Sequence, residues 1–259
     1  MALPSIHLDV VVGVGLVAGA WAAAWLVRGA RPRPAETAAL AIALALLLIM
    51  LNGPIHELSD HYLFSVHMAQ HLVLTLVVAP LLLVATPAWM LDGVLRRWRL
   101  ARAAHAVTRP LPALALYTVT LVAWHLPRTY NHALDVHAWH IVQHLMLIAT
   151  AVVAWWPVVA RSHVAPRLSY AGQILYLFAF GLPMSFVAAM ITSAETVLYP
   201  FYASAPRLFG LTAFADQRLG GVIMWVPAGI VPLVAFTIVF FRWAAAEADH
   251  DEAVPARLG

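Results

Sequence analysis

Cysteine is absent from the 259 residues. That excludes disulfides, thiolate-held metal and thiol redox chemistry. Any metal must be held by His, Met, Asp, Glu or backbone oxygen. Lysine is absent as well, and all 15 cationic side chains are Arg. With abundant Ala and Pro, this composition fits a GC-rich bacterial genome. Charge of either sign is scarce: 10% of residues are charged and 63% are hydrophobic. A soluble domain carries about 25% charged residues. With a mean hydropathy of +0.83, the chain reads as an all-α, polytopic membrane bundle. The basic pI, about 9.6, does not point to nucleic acid, because the Arg residues fall in loops, as topology requires.

Apolar runs of about 17–25 residues predict seven transmembrane helices. They cover roughly 6–27, 36–52, 65–87, 110–126, 138–160, 170–192 and 220–242. The first run has no basic segment before it and is long enough to span, so it reads as a retained helix rather than a signal peptide. Residues 1–243 form a single transmembrane domain in this reading, and 244–259 a polar cytoplasmic tail. Twelve Arg fall in one set of loops and three (Arg128, Arg207 and Arg218) in the other. The positive-inside rule then places the N-terminus outside and the C-terminus in the cytoplasm.

Against this apolar background stand 13 histidines, nine of them expected at the outer face. The segment His67-Met68-Ala69-Gln70-His71-Leu72 recurs 73 residues later as His140-Ile141-Val142-Gln143-His144-Leu145. Each copy has a proline thirteen residues upstream, Pro54 and Pro127. The spans therefore include a parallel hairpin repeat, about 36–87 and 110–160. Two imidazoles at i, i+4 share one helix face, and imidazole is costly in lipid without a partner. A doublet built twice at matched positions points to a shared metal site between two helices.

The predicted ligands are His67, His71, His140 and His144. His61 and His137 stand by as uptake or third ligands, and Met68, Met146 and Met224 as soft donors. Imidazole suits copper, zinc and iron, and thioether favours Cu(I). Gln70 and Gln143 are expected to fix the imidazole tautomers. Other readings compete. Buried histidines can simply bridge helices. Haem b needs one imidazole on each face, so the doublets would serve two haems. A membrane di-iron oxygenase uses His boxes too, but Glu-x-x-His pairs on facing helices are absent. These last two make a membrane oxidoreductase the alternative function. No catalytic residue is singled out, and the principal reading is not an enzyme.

The His67–Leu72 box with Pro80-Leu81-Leu82 and Thr86-Pro87 resembles the CtaG family of integral-membrane (caa-type) cytochrome c oxidase assembly factors. So do Trp124-His125-Leu126-Pro127, His137 to His144, Trp155-Trp156-Pro157, and Asp216-Gln217 with Gly220-Gly221 and Met224-Trp225. The resemblance runs from about residue 40 to 240. It implies a seven-helix protein of the bacterial inner membrane that serves haem–copper oxidase assembly. It further implies a metallochaperone role: copper bound at an outer-facing site and delivered to oxidase subunit I, with a periplasmic copper donor as a second partner.

Overall fold

The computed structural model describes residues 6–253, with side chains through 248. Every regular element among them is a helix. In chain order these are α1 (Leu8–Arg28), α2 (Pro34–Met50), α3 (Gly53–His61), α4 (Phe64–Ala85), α5 (Ala88–Arg97) and α6 (Ala101–Val107). Then follow α7 (Pro110–His125), α8 (Pro127–Asp135), α9 (His137–Val159), α10 (Tyr170–Ser193, with a break at Gly181), α11 (Pro200–Ser204) and α12 (Ala213–Ala253).

Five helices, α1, α4, α9, α10 and α12, are long and apolar enough to cross a membrane. The expected second and fourth spans fall short for a geometric reason. Helix α2 has 17 residues and α7 has 16, a rise of roughly 25 Å at 1.5 Å per residue against a hydrocarbon core of about 30 Å. Each qualifies only with a neighbour: α2 with α3 across a 49° bend, and α6 with α7 across a 75° bend. The count is therefore five, or up to seven with each bent pair taken as one span. Beyond Ala244 the polar residues continue α12 to Ala253.

The duplicated segments fold alike. In each, an apolar helix ends, a proline opens a nine-residue helix (α3 at Pro54, α8 at Pro127), and the doublet helix follows. Proline suits the first turn because the N–H it lacks has no partner there. Helix α4 is the hub. Its first half packs on α12, and its second half on α2 and α9. Asp216 of α12 caps α4, accepting from the Phe64 and Ser65 amides at 2.7 and 3.1 Å. Gly220 lets α12 approach this closely, since a Cβ there would strike the Phe64 ring, and one at Gly221 would strike Thr192.

Midway along α4, Val73–Val78 winds as a π-helix, and the Ala79 amide bonds back to the Leu74 carbonyl. The next residue in that pattern is Pro80, which has no N–H to offer the Thr75 carbonyl. Trp155 of α9 supplies the missing donor, its Nε1 lying 3.0 Å from that oxygen. The wide turn thus follows directly after His71, pinned to the helix that carries the second doublet.

At the opposite end, Asp92 of α5 accepts from the Ser162 hydroxyl at 2.6 Å and from the His163 and Val164 amides at 3.1 and 3.3 Å. Burial opposes its charge. The hydroxyl and the two amides outweigh that and hold the carboxyl below its ordinary range. Helix α1 is peripheral. Trp25 is its one buried side chain, and Trp21 bonds the Ala85 carbonyl at 2.9 Å.

Candidate metal centre

The two doublets meet. His67 and His71 come from the first turns of α4, and His140 and His144 from those of α9; all four are buried. Ring centroids lie 5.3 Å apart for His67–His140, 6.0 Å for His67–His144 and 5.2 Å for His71–His144. One ring nitrogen each from His67, His140 and His144 lies within 4.8 Å of the other two. His71 stands one step behind, its Nε2 2.9 Å from His67 Nε2.

The hydrogen bonds around the rings assign their protons. Tyr202 donates its hydroxyl to the Ser59 carbonyl at 2.6 Å, a group that can only accept. The same oxygen therefore accepts from His67 Nδ1 at 2.8 Å, and His67 keeps a lone pair on Nε2. His140 Nδ1 faces the Asp60 carboxylate at 3.2 Å. The proton belongs on that nitrogen, so His140 Nε2 is bare. It is buried with no hydrogen-bond partner, as is His144 Nε2. The hydroxyl behind His67 and the carboxylate behind His140 are the arrangement that orients metal-binding histidine and raises its basicity. Asp60 also receives His56 Nε2 at 3.3 Å, so a partly buried anion lies beside the triad. An ion about 2.0–2.1 Å from each nitrogen sets them about 3.3–3.6 Å apart, so nitrogens now within 4.8 Å of one another would close in on binding. The donor set therefore fits a borderline or soft metal ion.

The segment between α10 and α12, residues 194–212, roofs the cluster. Tyr199 and Tyr202 are buried in it. Tyr199 donates to the His125 carbonyl at 2.9 Å, and Asn131 accepts from the Phe201 amide at 3.0 Å. Gln217 holds the same segment through Leu198 and Thr196 at 2.7 and 3.1 Å. A cavity of about 390 Å³ reaches the cluster from the side. Its walls include His56, His140 and His144 with apolar residues of α1, α2 and α9, and His7 and His137 also line it.

The remaining expected residues divide. His137 is exposed but lines the side cavity. His61 is exposed at the end of α3 and outside the donor triad. Met68 and Met224 are buried and share a small cavity with His71. Met146 is 43% exposed; two residues after His144, it stands about 200° round the helix. The glutamines do not fix the predicted ligands. Gln70 donates to His56 Nδ1 at 3.1 Å and to the Met50 carbonyl. Both polar atoms of Gln143 are buried without a partner. Asp60 and Tyr202 do the orienting instead. Tyr202 reaches His67 across 135 positions of sequence, a separation no local motif records.

The sequence model of the family described as cytochrome c oxidase caa3 assembly factor matches residues 17–246. Among curated proteins, an uncharacterized protein of Mycobacterium bovis and one of Mycobacterium tuberculosis are each 25% identical over 199 residues, 70% of this chain and 30% of theirs. An uncharacterized protein of Mycobacterium leprae is 23% identical over 209 residues, 74% of this chain and 31% of its own. The chain thus spans under a third of the length of these relatives. No solved structure matches.

Proposed function

Because the chain belongs to the cytochrome c oxidase caa3 assembly factor family, we propose that it serves oxidase assembly by binding copper at the His67–His140–His144 triad and passing it on. The observation that carries this reading is the proton assignment. Tyr202 and Asp60 turn His67 and His140 so that each carries its lone pair on Nε2, the one on His67 engaged by His71 and the one on His140 without a partner. His144 Nε2 beside them is also unpartnered, and one ring nitrogen of each of the three lies within 4.8 Å of the other two. Three histidines without a thiolate accept copper well, and His71 adds a fourth imidazole at hydrogen-bond distance. Copper is cargo here. It leaves by ligand exchange, and the side cavity past His137 gives incoming ligands a route.

In this reading all seven apolar segments span a bacterial inner membrane, with each bent pair one span. The Arg distribution supports a triad near the periplasmic side. The receiving partner is the haem–copper oxidase, with subunit I as acceptor and a periplasmic donor upstream. The test is metal analysis of detergent-purified protein, with and without copper loading, beside the His140→Gln/His144→Gln variant. Copper held by the wild type and lost in the variant, together with copper-poor oxidase in cells carrying the variant, supports the proposal. A Soret band or stoichiometric iron would replace it with a membrane oxidoreductase. Normal oxidase copper in the variant would reduce the protein to a scaffold.

A further inference from the structure

One turn beyond His67 along α4 lies a second, smaller cavity, enclosed by Met68, Met184 and Met224 with His71 and His125. Its volume is about 10 Å³, room for one atom-sized guest. The three sulfurs come from three helices, α4, α10 and α12, and each Met is at most 4% exposed. Methionine often fills gaps in cores, and three of them prove nothing alone. The imidazoles are what distinguish this cavity. His125 Nδ1 lies 2.7 Å from the Leu121 carbonyl, an oxygen that only accepts, so the proton is on Nδ1 and Nε2 is bare. That nitrogen is buried with no partner. His71 repeats the pattern. His67 Nε2 is a lone pair, so the 2.9 Å contact makes His71 Nε2 the donor. His71 Nδ1 is then bare, and it too is buried without a partner. The residues lining this ion-sized space thus carry two unsatisfied nitrogen lone pairs and three thioethers, and the hydroxyl of Thr75, which also lines it, is spent on the His71 carbonyl at 2.7 Å.

We infer that Met68, Met184, Met224, His125 and His71 form a second binding site, selective for a soft monovalent cation such as Cu(I). Thioether sulfur favours Cu(I) over harder or divalent ions, and none of these donors must lose a proton to bind. His71 links the two sites: it lines this cavity and touches His67 of the triad, with ring centroids 4.3 Å from His67 and 6.0 Å from His125. An ion can thus pass between a nitrogen-rich and a sulfur-rich site by exchanging ligands around one ring, with no change of oxidation state. The inference rests on the proposed function only for naming copper as the natural ion.

Anaerobic titration of the detergent-purified chain with Cu(I), supplied against a competing chelator, and separately with Ag(I), tests it. X-ray absorption reads the ligands. The wild type should bind Cu(I) with sulfur in the coordination shell. Met184→Leu/Met224→Leu, which conserves volume, should lose the sulfur signal and one equivalent of Cu(I) or Ag(I) while retaining the triad equivalent. His140→Gln/His144→Gln should keep the sulfur-bound ion; if it also keeps every equivalent, the triad reading fails and this site stands. Nitrogen-only coordination in the wild type overturns the inference without requiring any variant to fold. So does unchanged stoichiometry in the double Leu variant, or a wild type that binds neither ion.

Discussion

At the scale of single residues, the candidate centre depends on groups that touch no ion. Asp60→Asn removes the anion behind His140, and Tyr202→Phe removes the acceptor behind His67. Each should weaken metal binding about 10–100-fold, measured by competition with a chromogenic chelator. Wild-type affinity in both would show that the ring protons are not set as assigned. The clustered histidines were legible in the sequence because i, i+4 spacing and duplication are local patterns. Their orienting partners were not. Gln70 and Gln143 sit inside the boxes and drew the eye, yet Tyr202 and Asp60 do that work from elsewhere in the chain. Helical phase, applied to each Met, would have separated Met68, 60° from His71, from Met146 on the far side of its helix.

At the scale of elements, close approach and backbone repair govern stability. Gly220→Ala should destabilise the protein by about 1–3 kcal/mol through overpacking against Phe64, read as detergent-resistant thermal unfolding. Gly229→Ala, where a Cβ meets nothing within 4 Å, is the control and should not. The π-turn of α4 gives a cycle. Trp155→Phe strands the Thr75 carbonyl and should cost about 1–3 kcal/mol. In a Pro80→Ala background the restored amide takes over, and the cost should shrink; equal costs in both backgrounds would refute the repair. Asp92 sets an acid limit at the opposite end. Its folded pKa is depressed, so its contribution is present above the unfolded carboxylate pKa of about 3.9 and is lost as pH falls through the folded value. The wild type should therefore lose its stability margin over Asp92→Asn only in acid. Helix existence was readable from apolar runs. The bent neighbours of α2 and α7 were not, because α3 and α6 are too short and too polar to announce themselves by periodicity.

At the scale of the whole molecule, the arrangement separates holding from reaching. The four imidazoles lie in the heart of the bundle, whereas the side cavity is walled by α1, which contributes a single buried residue to the packing. Gly13 lines that cavity with open space beyond its Cα. Gly13→Phe should slow metal uptake and release in stopped-flow mixing yet leave the equilibrium affinity unchanged; a changed affinity would mean that the cavity shapes the centre rather than leading to it. The roof differs in kind from this side door. Its Tyr202 hydroxyl fastens the outer segment to Ser59 and, with the same oxygen, steadies His67. Any docking event that draws Tyr202 off Ser59 also releases that imidazole to swing. Under the proposed function, unlatching the segment and relaxing the grip on the ion would be one movement.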